Sequence, residues 1–139
     1  METLKILVIE ESAAFRDFIM SAVAQIDLTP VAPPLVEHAS TKAQLLQQLS
    51  ADPHRFDMVV CHWEALFNDD TESFAATKAR FPQVAFVCNS ASNSLNVPRR
   101  VLKAGAAGFF RRDCPGEMVR NVIGLVLGGE AFALPDHLR

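Results

Sequence analysis

Three short apolar runs, each followed by polar residues, constrain the fold of this chain more than any other feature. They cover residues 6–9 (ILVI), 58–61 (MVVC) and 84–88 (VAFVC). Each run is short, uninterrupted and rich in β-branched side chains, which favours a strand buried on both faces. Apolar residues recur at helical spacing between the runs. The resulting alternation, about five strand–helix repeats, predicts an α/β fold with a parallel sheet covered on both faces.

Local signals place the predicted helices and one edge strand. Ser12 and residues 40–41 offer side-chain caps for the first two helices, residues 69–71 open a third, and glycines 128–129 end the last of five. The segment 28–35 contains three prolines. Because proline cannot donate to a sheet ladder, any strand there should lie at an edge.

Composition predicts one globular domain spanning residues 1–139. Half of the residues are hydrophobic, 21% are charged, and 13 basic residues against 16 acidic ones give a net charge of −3. This balance excludes a disordered chain and does not favour a free-standing nucleic-acid binder. No apolar stretch is long enough for a membrane span or a signal segment. Three widely spaced cysteines are neither a disulfide framework nor a zinc motif, so we expect a cytoplasmic protein.

Polar residues follow four of the predicted strands. Glu10 and Glu11 follow the first strand, His62 ends the third, residues 89–90 follow the fourth, and Arg112 follows the fifth. Ligands of open α/β sheets bind outside the carboxyl ends of the strands. We therefore expect these side chains to share one pocket.

Three segments resemble the receiver domain of bacterial response regulators. They are residues 5–12 (KILVIEES), 56–62 (FDMVVCH) and 102–113 (LKAGAAGFFRRD), and residues 118–135 are similar to the last helix of the NarL/FixJ subfamily. The resemblance covers nearly the whole chain. It implies a doubly wound parallel sheet with strand order 2-1-3-4-5. It also implies a pocket with two acids for Mg²⁺, a phosphoacceptor aspartate, a hydroxyl residue and a lysine.

The chain departs from that pattern at the acid pair, the phosphoacceptor position and the lysine position. Glu10 and Glu11 form the acid pair, His62 stands at the phosphoacceptor position and Arg112 at the lysine position. Ser90 fills the hydroxyl position when the spacing to Arg112 is counted, whereas strand-end alignment gives Cys88. Longer acids are poorly matched to the octahedral geometry of Mg²⁺, and aspartyl-phosphate chemistry needs a carboxylate nucleophile. We therefore expect no catalytic residue, no bound metal and no cofactor.

These departures predict a phosphorylation-independent pseudo-receiver in signal transduction or transcriptional regulation. An Arg112–glutamate pair would hold its pocket in one conformation. One alternative is residual phosphotransfer to a non-aspartate acceptor, His62 or Glu64, and histidine with the two glutamates could also ligate a transition metal. A second alternative is a small-ligand or pH sensor, because imidazole changes charge near neutral pH.

Basic residues concentrate on the predicted fourth helix, fifth strand and fifth helix. This predicted interaction face comprises Arg99, Arg100, Lys103, Phe110, Arg111 and Arg120. It would bind an acidic protein partner or a second copy of the chain, unless it is plain solvated surface. DNA would be contacted only through an output domain beyond this chain, to which residues 132–139 would begin a linker.

Cys61 and Cys88 are predicted near the ends of adjacent strands. They suit either a redox pair or two small buried side chains, and burial is the favoured interpretation.

Overall fold

The computed structural model describes residues 3–26 and 33–128, which form one five-stranded sheet with helices on both faces. Residues 132–139, the predicted linker start, lie outside the described residues. No helix in the described part is long and apolar enough to cross a membrane. The elements in chain order are β1 (Lys5–Ile9), α1 (Ala13–Ala24), β2 (Leu35–Ala39), α2 (Lys42–Ala51), β3 (Met58–His62), α3 (Trp63–Phe67), α4 (Thr71–Arg80), β4 (Ala85–Ser90), α5 (Asn96–Lys103), β5 (Gly108–Arg111) and α6 (Gly116–Gly128).

The sheet is parallel throughout, with the order β2-β1-β3-β4-β5. This confirms the predicted fold class and strand order. The register aligns Ile9 with Cys61 and His62 with Asn89. The carboxyl ends of the central strands therefore meet at one edge. β2 is an edge strand, and it begins at Leu35, after the prolines.

The described residues contain six helices rather than the predicted five. The additional helix, α3, follows β3 directly and buries Trp63, Leu66 and Phe67 at i, i+3 and i+4 spacing. With 5 residues, α3 is about one and a half turns long, which is too short for a helical periodicity to be recognised in the sequence. Asn68 and Asp69 then take the left-handed conformation, with φ of 48° and 61°. Asn and Asp are the non-glycine residues that tolerate it best.

Because α3 is additional, the predicted fourth and fifth helices are α5 and α6. One strand boundary also differs from expectation. β4 continues through Asn89 to Ser90, although both residues were expected to follow the strand. Both residues are fully buried. Their backbone groups remain in the ladder with β5, which carries these polar side chains to the strand-end pocket.

Predicted caps fix the starts of α1 and α2. The Ser12 hydroxyl accepts a hydrogen bond from the backbone N–H of Phe15 at 3.3 Å. Thr41 and Gln44 form a reciprocal capping box. Such side chains satisfy backbone donors that the first helical turn leaves unpaired, and each stabilises its helix by about 1 kcal/mol.

The two faces of the sheet carry different cores. Helices α2 to α5 cover an aromatic core, in which the rings of Trp63, Phe67, Phe74 and Phe86 form contacts with centroids 5.1–5.6 Å apart. Helices α1 and α6 cover a largely aliphatic core. There Gly108 is required by close packing, because a Cβ at this position would lie 2.7 Å from Val126 Cγ2. Because close-packed cores hold the sheet on both faces, the side chains at its carboxyl edge project from a rigid backbone.

Candidate functional site

The carboxyl ends of β1, β3, β4 and β5 bring five predicted residues together. We call the resulting site the strand-end pocket. It comprises Glu10, Glu11, His62, Ser90 and Arg112, all predicted, and Glu64 at the start of α3. The pocket divides into two sets of contacts.

The first set, the inner pair, is a bidentate ion pair between Glu10 and Arg112. Arg112 Nη1 and Nη2 donate to Glu10 Oε1 and Oε2 at 2.7 and 3.0 Å. The Glu10 side chain is 0% exposed and that of Arg112 is 15% exposed. Charge-assisted, two-point contacts of this kind are among the strongest hydrogen bonds in proteins. Since Glu10 is buried, its charge depends on Arg112 for compensation.

Neighbouring groups complete the inner pair. The backbone N–H of Ser12 donates to Glu10 Oε2 at 3.0 Å, and Arg112 Nη1 also donates to Asn89 Oδ1 at 2.8 Å. The guanidinium lies over the ring of Phe15, 3.8 Å from its centroid. The sequence placed Asn89 among the polar residues expected to share the pocket, but it gave Asn89 no role there. Phe15 was not expected in the pocket, because its helical spacing was its only signal.

The second set, the outer chain, links Glu11, His62, Glu64 and Ser90. His62 Nδ1 lies 2.7 Å from Glu11 Oε1, and His62 Nε2 lies 3.4 Å from Glu64 Oε1. The Ser90 hydroxyl donates to Glu64 Oε2 at 2.7 Å and accepts from the backbone N–H of Ser92 at 3.0 Å. The outer chain therefore connects the ends of β1, β3 and β4.

The two glutamates of the outer chain are open to solvent, unlike Glu10 of the inner pair. The Glu11 and Glu64 side chains are 47% and 39% exposed, and that of His62 is 14% exposed. Partial burial raises the pKa of Glu11, but a hydrogen bond from its own backbone N–H and the contact with His62 outweigh this effect. The net pKa of Glu11 is lowered, which favours its ionised form.

Ser90, rather than Cys88, supplies a hydroxyl to the pocket. Cys88 is fully buried in the aromatic core, with its sulfur 3.8 Å from that of Cys61. Both thiols are free, and burial raises the pKa of Cys88 well above its usual value. Cys61 and Cys88 thus pack as small buried side chains.

The donor set of the pocket does not fit Mg²⁺. This ion takes oxygen ligands in near-ideal octahedral geometry. Here Arg112 already contacts both oxygens of Glu10, and His62 offers a nitrogen. The Arg112 guanidinium therefore occupies the carboxylate oxygens of Glu10 that Mg²⁺ would have to bind.

The predicted interaction face is only partly assembled. Arg99, Arg100 and Lys103 of α5 and Arg111 of β5 are exposed. Arg100 pairs with Asp69 at 3.0 Å, and Arg111 contacts Asp113 at 2.7 Å. The exposed Leu102 adds an apolar side chain to this surface.

Two predicted members do not belong to that face. Phe110 is 3% exposed and packs in the aliphatic core, because side chains alternate along β5 and its ring points inward. Arg120 lies one helical turn after Gly116, whose packing neighbours are Ala22 and Phe18 of α1. Its position is therefore on the α1 side of α6. We define the basic face by Arg99, Arg100, Lys103 and Arg111.

Comparisons with known proteins identify the fold. No protein-family model and no curated protein sequence matches the chain. Among solved structures, a response regulator from Thermotoga maritima is similar with a TM-score of 0.76 and 14% identity, over 92% of this chain and 100% of that one. The signal receiver domain of the response regulator NarL from Mycobacterium tuberculosis gives a TM-score of 0.69 and 21% identity, over 93% and 100%.

A third similar structure is the chemotaxis response regulator CheY4 of Vibrio cholerae, with a TM-score of 0.71 and 17% identity, over 91% of this chain and 100% of that one. The chain therefore has the fold of response-regulator receiver domains. The strand-end pocket lies at the carboxyl edge of this fold, where open α/β sheets place their ligand sites.

Proposed function

We propose that the chain is a degenerate receiver module of the NarL/FixJ type that works in bacterial signal transduction or transcriptional regulation without aspartyl phosphate. It would act in the cytoplasm as an interaction and dimerisation module, not as an enzyme. DNA would be contacted only through an output domain outside this chain. The inner pair carries the proposal, because Arg112 binds the buried acid that a receiver would use for its metal ion.

The other pocket contacts support the same conclusion. No aspartate lies at the end of β3, where His62 stands. The Ser90 hydroxyl is engaged by the Glu64 carboxylate at 2.7 Å, so an internal anion already uses the group expected to bind a phosphoryl oxygen. Within the pocket, the Arg112 guanidinium thus takes the place of the metal cation, and the Glu64 carboxylate takes the place of the phosphoryl group. The conformation of the pocket would be set by folding and by partners rather than by phosphorylation.

Acetyl phosphate with Mg²⁺, read by intact mass, tests phosphorylation independence. We expect no stoichiometric gain of one phosphoryl group in the wild-type chain. The double variant His62→Asp, Arg112→Lys, which restores a carboxylate nucleophile and a lysine, is the matched comparison and should gain a measurable adduct. A stoichiometric adduct on His62 or Glu64 of the wild type would contradict the proposal and establish the phosphotransfer alternative.

The interaction role rests on the basic face. Arg99 and Lys103 are exposed on one helix beside Leu102, which is 46% exposed. Basic side chains around an apolar centre suit a partner surface with acidic residues. We expect the double variant Arg99→Glu, Lys103→Glu to weaken self-association or partner binding at least tenfold in sedimentation velocity. Lys5→Glu, at the exposed amino end of the interior strand β1, should leave association unchanged. Equal effects of both variants would exclude the basic face.

A further inference from the structure

We propose that Asp69 is an internal competitor for the acidic partner of the basic face, and that its contact with Arg100 latches the end of α3. A partner carboxylate that takes Arg100 from Asp69 would release this latch. The inference rests on the proposed function, since it names how binding at the basic face would change the conformation of the chain without phosphate. We call Trp63, Asp69 and Arg100 the α3 latch.

The Asp69 carboxylate joins three parts of the fold. Its Oδ1 accepts a hydrogen bond from the indole N–H of Trp63, the first residue of α3, at 2.9 Å. Its Oδ2 accepts one from Nη2 of Arg100, on α5, at 3.0 Å. Asp69 itself lies in the turn between α3 and α4. One side chain therefore connects the buried start of α3, the turn that follows this helix, and the basic face.

The two contacts of the α3 latch differ in burial. Trp63 is fully buried, and a buried indole N–H is costly to leave without an acceptor. The side chains of Asp69 and Arg100 are 47% and 44% exposed, so water screens their ion pair and makes it weak. A carboxylate from a partner can therefore replace Asp69 at Arg100, whereas the contact between Asp69 and Trp63 would be lost only at a higher cost.

The backbone beside the α3 latch is strained. Asn68 and Asp69 have φ of 48° and 61°, so two consecutive residues other than glycine are left-handed. Asn and Asp visit this region as single residues, and such conformations persist only where several contacts hold them. The Asn68 N–H donates to the carbonyl oxygen of Glu64 at 2.9 Å. The Asp70 N–H donates to that of Phe67 at 2.8 Å. Loss of the ion pair would remove one of the contacts that hold this turn.

The charges around Arg100 suit an exchange of carboxylates. Hydrogen bonds from Trp63 and then from Arg100 lower the pKa of Asp69, which keeps its carboxylate ionised at neutral pH. Arg99 and Lys103 lie on the same helix as Arg100 and are exposed. An acidic partner that docks on these two cations brings its own carboxylates next to Arg100, where they compete with Asp69.

Release of the α3 latch would change a helix that has little stability of its own. α3 has 5 residues and begins directly after His62 of the strand-end pocket. A helix of this length is stabilised by contacts with the rest of the fold rather than by its own hydrogen bonds. Loss of a contact at its far end therefore loosens the whole helix, including Trp63 at its start. Partner binding at the basic face would thus produce a conformational response beside the strand-end pocket.

The fluorescence of Trp63 reports on the α3 latch, because Trp63 is the only tryptophan and the chain has no tyrosine. The probe is the peptide hexaglutamate, titrated at low salt, and the anisotropy of a labelled sample follows its binding. We expect a saturable change in Trp63 emission. Hydrogen exchange at the Asn68 amide should become about two- to fivefold faster, which is the range that loss of one exposed ion pair accounts for.

Two variants test the α3 latch without any partner. Arg100→Gln should reproduce the emission change and the faster exchange at Asn68 in the absence of hexaglutamate, and adding the peptide should change neither signal further. Arg99→Gln removes the same charge from the neighbouring position of α5. It should leave emission and exchange as in the wild type while weakening the binding of hexaglutamate. Circular dichroism verifies that both variants are folded.

Three results would overturn the α3 latch. The first is an Arg100→Gln variant whose Trp63 emission and Asn68 exchange equal those of the wild type. The second is hexaglutamate that binds to the wild type and changes neither signal, in which case the basic face would still bind an acidic partner and the proposed interaction role would stand. The third is a complete failure of hexaglutamate to bind, which would contradict the interaction role and the latch together.

Discussion

The inner pair and the outer chain lie in one pocket, yet they differ in the burial of their side chains and in whether their carboxylate oxygens have hydrogen-bond donors. In the inner pair, both oxygens of Glu10 have donors, and its side chain is 0% exposed. In the outer chain, Glu11 is 47% exposed and Glu64 Oε1 lacks a donor within the described residues. From this difference we expect the inner pair to contribute much more to the stability of the fold than the exposed carboxylates of the outer chain.

Removing the arginine of the inner pair should have the largest effect. Arg112→Met leaves the Glu10 carboxylate buried without its cation, and breaking a buried pair in this way costs about 3–5 kcal/mol. Chemical denaturation measures the loss. Arg111→Met, next to it in the chain but exposed, is the control and should change stability by less than about 1 kcal/mol. Similar losses of stability in both variants would mean that the buried inner pair stabilises the fold no more than an exposed arginine does, and its distinction from the outer chain would be lost.

Ser90→Ala should have an intermediate effect, because it removes two hydrogen bonds at the buried end of the outer chain. One goes to a carboxylate and the other comes from Ser92. We expect a loss of about 1–2 kcal/mol in the free energy of unfolding. Ser94→Ala, which removes a single exposed hydroxyl contact, should cost less than about 0.5 kcal/mol. A neutral Ser90→Ala would mean that the outer chain ends at Glu64.

Glu11→Gln should have a small effect on stability. The side chain is half exposed, so water screens its interaction with His62, and we expect a change below about 1 kcal/mol. Glu37→Gln provides a control with matched exposure, since Glu37 is 49% exposed and pairs with Arg55 at 2.7 Å. If Glu11→Gln cost several kcal/mol while Glu37→Gln did not, the outer chain would belong with the inner pair as a stabilising element.

Asp69→Asn should give the smallest effect, and one that depends on pH. A hydrogen bond from Trp63 Nε1–H, followed by one from Arg100, lowers the pKa of Asp69. Its stabilising contribution is therefore complete above the unfolded pKa, about 3.9, and is lost as the pH falls through the lower folded pKa. At pH 7 we expect the variant to be less stable by under about 1 kcal/mol, because the carboxylate is exposed.

Unfolding curves of wild type and Asp69→Asn at several pH values measure this difference, which should close in strong acid. Asp17→Asn, at an exposed carboxylate on α1, should show no such closure. A constant offset between wild type and Asp69→Asn at every pH would mean that charge is not the source of the effect. If the difference does close in acid, it measures how much the exposed Asp69–Arg100 ion pair, outside the pocket, adds to the free energy of unfolding.

Most of the fold was predictable from local sequence. Short β-branched runs gave the central strands, and Ser12 and Thr41 began helices through contacts with residues three positions away. The site was partly predictable, because polar residues at strand ends indicate where side chains converge. α3 was missed because five residues carry too little periodicity. Phe110 was misplaced because helices cover both faces of the sheet, so Phe109 and Phe110 each pack against one of the two cores.

The sequence by itself determined the strand–helix alternation, the helix starts and the set of polar residues at the carboxyl edge, because each depends on neighbouring residues. Only the tertiary structure decided how that set divides. Arg112 and Glu10 are separated by 102 positions, so their pairing depends on the strand order and the burial around them. The same packing turns Cys88 into the aromatic core, brings Ser90 to Glu64, and leaves His62 between two carboxylates.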